Sequence, residues 1–379
     1  MSIFDVQHQW PAVRGLQRAM AVGRLSHALI FHGPEGVGKE MLASALARTL
    51  VCPSPRSVEP GEVPGIGEWS GPLQDACGEC PDCVRSKAGT HPDVHLIHRQ
   101  LKQLHPDAEV RARKGLTLSI DVIREFVIKP AGLRPMAGQM KVFIIREAEL
   151  LAAPAQNALL KTLEEPPPAT CIILLTHALD RLFPTIRSRC QPVGFRLLPH
   201  EFVAAKLLDL QPDLTPTRAG ALAQFANGSL AHAVQYAEDG LDEFNSRLIT
   251  VVQSLVSATA PAVAKHIADE AKGLGERYVE RDREITETEA QRRAIKALLL
   301  LLASWYRDVM LTHLGAVDRL ANAGSVEALQ QAAAAIPLES AADAVQHITT
   351  AERQLDLNAN VQLILDTLAI TLARLGRAA

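Results

Sequence analysis

The segment Gly33-Pro34-Glu35-Gly36-Val37-Gly38-Lys39 constrains the fold of this chain more than any other. It fits G-x-x-x-x-G-K, follows the apolar run Ala28-Leu29-Ile30-Phe31, and opens an Ala- and Leu-rich helical stretch, Lys39–Val51. Strand, glycine loop and helix in that order let backbone N–H groups turn inward around phosphates, while the lysine supplies a point charge.

The surrounding pattern agrees with such a loop. Val142-Phe143-Ile144-Ile145 and Cys171-Ile172-Ile173-Leu174-Leu175 read as buried strands, and Ala153–Leu163 as a helix. Strands alternating with helices predict a parallel sheet covered on both faces. The pattern fades near Phe195, and Leu197-Leu198-Pro199 reads as a hinge. Val203–Ala237 then suits a small helical unit and Leu241–Ala379 a larger all-helical one, so the expected domains are 1–197, 198–240 and 241–379. Leu298, Leu301, Leu302, Trp305 and Val309 recur at helical spacing and form a core stripe. Glu276–Lys296 mixes six acidic with six basic residues and reads as a solvated helix face. Pro53–Pro72, rich in Pro and Gly, reads as a flexible loop with no role assigned, and the polar Leu101–Lys114 as another.

Composition narrows the function. The 379 residues carry a net charge of -3 and are 47% hydrophobic, which excludes a largely disordered chain. Near-zero charge argues against a protein that coats nucleic acid by itself, and 4% aromatics against a base-stacking platform. Met1–Trp10 lacks the basic start and apolar core of a signal peptide, and Ala297–Ala303 is too short to span a bilayer, so a cytoplasmic chain is expected.

Two residues disturb the phosphate loop's usual chemistry. A hydrolysing loop places Ser or Thr after the lysine, where the hydroxyl binds Mg²⁺; here the residue is Glu40. After the strand Val142–Ile145 such an enzyme places an Asp for the same ion; here stand Arg146 and then Glu147. Mg·ATP hydrolysis is therefore expected to be lost, while Gly33, Gly36, Gly38 and Lys39 leave nucleotide binding open.

Four of the six cysteines form a second constellation. Cys77-x-x-Cys80-x-x-Cys83 places three thiolates locally, and Cys52 can supply the fourth across the Pro/Gly-rich loop. Four thiolates with no open position read as structural Zn²⁺. His91 and His95 are nearby, but four sulfurs already complete the shell. Cys171, inside a strand, reads as buried. Finally, Ser188-Arg189-Cys190 is a basic turn after the last strand. Most simply it is a surface arginine, but an exposed Arg on an ATPase-like scaffold can act in trans on a neighbour's ATP.

Together these residues resemble the delta prime family of bacterial DNA polymerase III clamp-loader subunits. The resemblance rests on Ser26-His27-Ala28-Leu29, Gly33–Lys39, the four cysteines, Ala88-Gly89-Thr90-His91-Pro92-Asp93, the run from Asn157 through Glu164-Glu165-Pro166-Pro167, and Thr185–Cys190. It runs through most of the first two-thirds of the chain. The Asn157–Pro167 run is specific to clamp-loader subunits, although by itself it is only a helix stopped by prolines.

The resemblance implies an AAA+ fold: a P-loop-type α/β domain with an inserted zinc module at 52–83, a small helical lid and an all-α collar. It implies a pentamer that loads the sliding clamp onto primed DNA, with tau/gamma ATPase subunits and a delta subunit as partners and no membrane. Within it this subunit would be the non-hydrolysing member, and Arg189, flanked by Ser188 and Cys190, would reach an adjacent ATP site. Hydrolysing members carry a hydroxyl at the Glu40 position, an acid at the Arg146 position and a lid arginine; here Gly228-Ser229-Leu230 leads to Ala231. The family's polar sensor falls on Thr176 or His177. Two other functions compete: an active tau/gamma-like ATPase reaching Mg²⁺ through Glu147 or Glu40, and a zinc-ribbon adaptor that binds nucleic acid directly.

Overall fold

In the computed structural model, which describes residues 2–112, 117–253, 260–281, 285–357 and 359–375, the chain separates into two units, Met1–Leu197 and Leu198–Ala379. The first runs α1 (Trp10–Ala21), β1 (Ala28–His32), α2 (Lys39–Val51), β2 (Arg56–Val58), β3 (Leu73–Asp75), α3 (Pro81–Lys87) and β4 (Val94–Ile97). The short helices α4 (Ala108–Ala112), α5 (Ile120–Ile123) and α6 (Lys129–Ala131) follow. The unit closes with β5 (Lys141–Ile145), α7 (Ala153–Glu164), β6 (Thr170–Thr176), α8 (Pro184–Arg187) and β7 (Gln191–Gly194).

Five strands form one parallel sheet in the order β4-β5-β6-β1-β7. Every residue of β5 and β6 is buried, which explains their continuous apolar runs. Alternation sends Ile30, Phe143, Ile145, Ile172 and Leu174 into one core with Val122, Ile123, Leu159 and Leu163. The intervening residues face the side where α2 buries Leu42 and Leu46. Each such side chain contributes roughly 1.5–3 kcal/mol by leaving water. This is the parallel α/β sheet that the alternating pattern predicts, with the glycine loop leaving the carboxyl end of β1.

The edge strands β4 and β7 carry no clear sequence signal. Each is short and only partly buried, so no apolar run marks it. Pro53–Pro72 is not simply a flexible loop: β2 pairs antiparallel with β3, Arg56 opposite Asp75. Val63 and Ile66 are buried, and Arg14 Nη1 donates to the Ile66 carbonyl at 3.0 Å. Its apolar residues are spaced to dock on the domain, not to repeat along an element, so periodicity misses them. Leu101–Lys114 likewise carries part of a 3₁₀ turn, Arg99–Leu104, and then α4; residues 113–116 lie outside the described residues.

The second unit is helical: α9 (His200–Leu210), α10 (Pro216–Phe225), α11 (Leu230–Asp239), α12 (Leu241–Gln253), α13 (Ala260–Arg281), α14 (Glu287–His313), α15 (Val326–Ala335), α16 (Leu338–Asp356) and α17 (Val361–Leu375). α9, α10 and α11 pack on one another. The α14 stripe Leu298, Leu301, Leu302, Trp305 and Val309 is buried. Glu276–Lys296 is not one helix face: α13 ends at Arg281, and the Thr286 hydroxyl caps α14 by accepting the Glu289 N–H, while 282–284 lie outside the described residues. Among the described residues, no helix is long and apolar enough to cross a membrane.

Candidate functional site

The glycine loop is built where only glycine fits. Gly33 has φ 138°, and a Cβ there would fall 2.4 Å from the Phe195 carbonyl oxygen. Gly38 sits at φ 100° as the residue before α2, so the first turn of that helix has no side-chain cap. Its leading N–H groups carry the positive end of the helix dipole. The Lys39 ammonium folds back on the loop, donating to the Gly33 carbonyl at 2.6 Å and to that of Pro34. Burial lowers the Lys39 pKa, against the pull of Glu35 and Glu149.

Glu40, in the first turn of α2, and Arg146, just past β5, meet at this loop. Arg146 Nε donates to Glu40 Oε2 at 2.7 Å, and Nη2 donates to Oε1. Both carboxylate oxygens are thus engaged by one planar fork. A divalent cation does not fit this donor set, because it would face a guanidinium and find the carboxylate already bonded. Glu147 follows in the left-handed region, φ 48°, with its carboxylate 3.9 Å from Arg99 Nε and its pKa raised by burial.

The candidate sensors have different surroundings. Thr176 is buried at the end of β6, and its hydroxyl accepts the Ala178 N–H at 3.1 Å. His177 Nδ1 lies 2.8 Å from the Glu149 carboxylate. That contact raises the His177 pKa; burial alone would raise Glu149, but its hydrogen bonds, with the His177 and Thr176 side chains foremost, together outweigh burial and hold Glu149 low. Glu149 had no sequence signal beyond standing three positions after Arg146. In the second unit, Ser229 caps α11 through the His232 N–H, and Ala231 places no cation there.

The four cysteines converge. Cys52 ends α2, Cys77 lies before α3, Cys80 caps α3 and Cys83 sits in its first turn. Their sulfurs all lie within 4.8 Å of one another, with Cys52–Cys77 at 3.5 Å, Cys77–Cys83 at 3.8 Å and Cys52–Cys80 at 4.0 Å. Tetrahedral zinc with sulfurs at about 2.3 Å needs ligands about 3.8 Å apart, so the set fits a metal ion. The Cys80 N–H donates to Cys77 Sγ and the Cys83 N–H to Cys80 Sγ, each at 3.4 Å. The N–H groups of Cys80 and Glu79 bring the Cys77 thiol down to about 6, whereas burial pushes Cys52 and Cys83 up. A bound cation removes this inequality by favouring all four thiolates.

His91 and His95 are committed elsewhere. His91 Nε2 meets Asp82 Oδ1 at 3.2 Å and its Nδ1 accepts the Asp93 N–H, while His95 stacks on Phe143. Cys171 is fully buried, which pushes its thiol up to about 12.

Ser188-Arg189-Cys190 follows α8. Cys190 is a packing residue, buried with its thiol pushed up to about 12. Ser188 Oγ donates to the Thr185 carbonyl at 3.1 Å. Arg189 Nη1 donates to the same carbonyl at 2.8 Å, and Nη2 pairs with Glu164. The structure therefore joins the glycine loop to Glu40 and Arg146, and Arg189 to the end of α7.

Comparison with known proteins places this architecture. The family model described as DNA polymerase III, delta subunit, matches residues 8–199, and its C-terminal counterpart matches 286–373. The DNA polymerase III subunit delta' of Bacillus subtilis is 28% identical over 365 residues, 94% of each chain. That of Pseudomonas aeruginosa is 32% identical over 237 residues, 61% of this chain and 62% of the relative. A solved gamma subunit-related protein from Thermotoga maritima aligns with 97% of this chain and 100% of its own at 17% identity and a TM-score of 0.40. The chain belongs to the DNA polymerase III delta-subunit family.

Proposed function

We propose that this chain is a delta prime-type subunit of the DNA polymerase III clamp loader, a member that does not hydrolyse ATP and lends Arg189 to ATP on a neighbour. The observation that carries the reading is the Glu40–Arg146 pair, which occupies both oxygens of the Glu40 carboxylate. An active ATPase would need Glu40 or Glu147 for magnesium; Glu40 is spent on Arg146, and Glu147 faces Arg99.

The neighbours on this reading are tau/gamma ATPase subunits and a delta subunit, with the sliding clamp and primed DNA reached through the complex in the cytoplasm. Residues 198–240 serve as lid and 241–379 as collar. The degenerate site's polar sensor is Thr176 or His177, both of which turn to Glu149. Nucleotide held by the glycines and Lys39 would not turn over. The cysteine set holds structural Zn²⁺, since four sulfurs leave no open position. The Arg189 guanidinium would stabilise charge on a transferring phosphoryl, an effect worth about 10³–10⁵ in rate where arginine fingers act.

The test is ATP turnover by the purified chain alone and in a loader reconstituted with tau/gamma, delta and clamp. The isolated chain should give no turnover above background. Turnover by the isolated chain that Lys39→Ala abolishes would overturn the reading.

A further inference from the structure

The prolines after α7 do more than stop a helix. Pro166 drives Glu165 out of helical geometry, to φ -122° and ψ 72°, so Glu164 becomes the last residue of α7. There it meets Arg189, which also donates to the Thr185 carbonyl in α8. The carbonyl end of α7 carries partial negative charge and favours a cation at this spot. A guanidinium has five N–H donors. Nη1 donates to the Thr185 carbonyl and lies 3.5 Å from Ser188 Oγ, and Nη2 pairs with Glu164, so among the described residues the Nε–H and the second Nη2–H remain for another acceptor.

We propose that Glu164 is a positioning residue for Arg189, holding one edge of the guanidinium so that the other faces an anionic phosphate already oriented. This rests on the reading of Arg189 as a group that acts in trans. An unheld arginine samples many rotamers, and these must be frozen out each time it engages a phosphoryl group. Two anchors on separate helices remove much of that freedom beforehand. Glu164 need not release Arg189 during the reaction, because the free donors lie on the same planar fork.

The experiment uses loaders reconstituted with full-length chains carrying Glu164→Gln, Arg189→Ala or both, and measures ATP turnover with clamp and primed DNA. Glu164→Gln should lower kcat about two- to fivefold, the range expected for one part-exposed ion pair, with KM for ATP unchanged. The double variant should be no slower than Arg189→Ala. Thermal unfolding of the isolated Glu164→Gln chain should stay within about 2 °C of the parent, showing that folding is not the cause. Wild-type kcat with Glu164→Gln overturns the proposal, as does a full additional loss in the Arg189→Ala background, which would mean Glu164 acts independently. If Arg189→Ala itself turns over at the wild-type rate, the trans role of Arg189 falls and this inference with it. If Arg189→Ala is slow and Glu164→Gln is not, only the inference falls.

Discussion

Glu40 and Arg146, 106 positions apart in the chain, hold each other through a two-bonded fork beside the glycine loop. Along the sequence they are two separate departures from the residue types expected of a hydrolysing loop. In space they compensate each other, since each supplies the partner that keeps the other's charge satisfied near the loop. Both side chains are about 40% exposed, so solvent screens the pair. Glu40→Ala and Arg146→Ala should each cost no more than about 1 kcal/mol in urea unfolding. The double variant should cost less than the sum of the two. Strict additivity would show that the fork contributes nothing to stability.

Cys52 is the discriminating cysteine, because it reaches the cluster from the end of α2 and not from the local Cys-x-x-Cys spacing. Reduced, freshly purified protein should carry about one zinc per chain, and Cys52→Ser should lower that occupancy and the thermal midpoint together. Stripping the metal with a chelator should lower the midpoint too. Full zinc content in Cys52→Ser, or none in the parent, would refute the four-sulfur site.

Asp93 is fully buried and accepts N–H bonds from Met136 at 2.8 Å, Ala137 at 2.7 Å and Gly138 at 2.8 Å. Burial alone would raise its pKa, but the three donors outweigh it and the net shift is downward. Asp93→Asn removes the charge and turns an NH₂ toward N–H donors. It should cost about 1.5–3 kcal/mol, read by chemical unfolding. An unchanged midpoint would mean that the 136–138 loop is held by other contacts.

His177 and Glu149 set opposite limbs of a pH profile. The His177 pKa is raised from 6.5, so its contribution is complete below about 6.5 and disappears as pH rises through the raised value. The Glu149 pKa is lowered from 4.5, so its contribution is present above about 4.5 and is lost as pH falls through the depressed value. Thermal midpoints measured against pH should therefore show an alkaline limb that His177→Gln flattens while leaving much of the acid limb, which Asp93 shares. An identical alkaline limb in the variant would rule out the pair as its source.

Much of this architecture is readable from local pattern. The glycine loop, the buried strands around Phe143 and Ile173, the α14 stripe and the Cys-x-x-Cys-x-x-Cys turn each depend on spacing within a few residues. Edge strands β4 and β7 escape such reading because partial burial leaves them without apolar runs. The β2–β3 ribbon escapes it because Val63 and Ile66 dock onto the domain without any repeat.

The sequence by itself therefore determined the sheet's central strands, the loop that ends β1, the charged residue types that stand after Lys39 and after β5, and which four cysteines converge. All of these follow from residue type and periodicity. Only the tertiary structure decided that Glu40 and Arg146 are partners, that His177 is held by Glu149, and that Arg189 is anchored at Glu164. Ion pairing depends on where separate strands and helices end in space, and no spacing along the chain encodes that meeting.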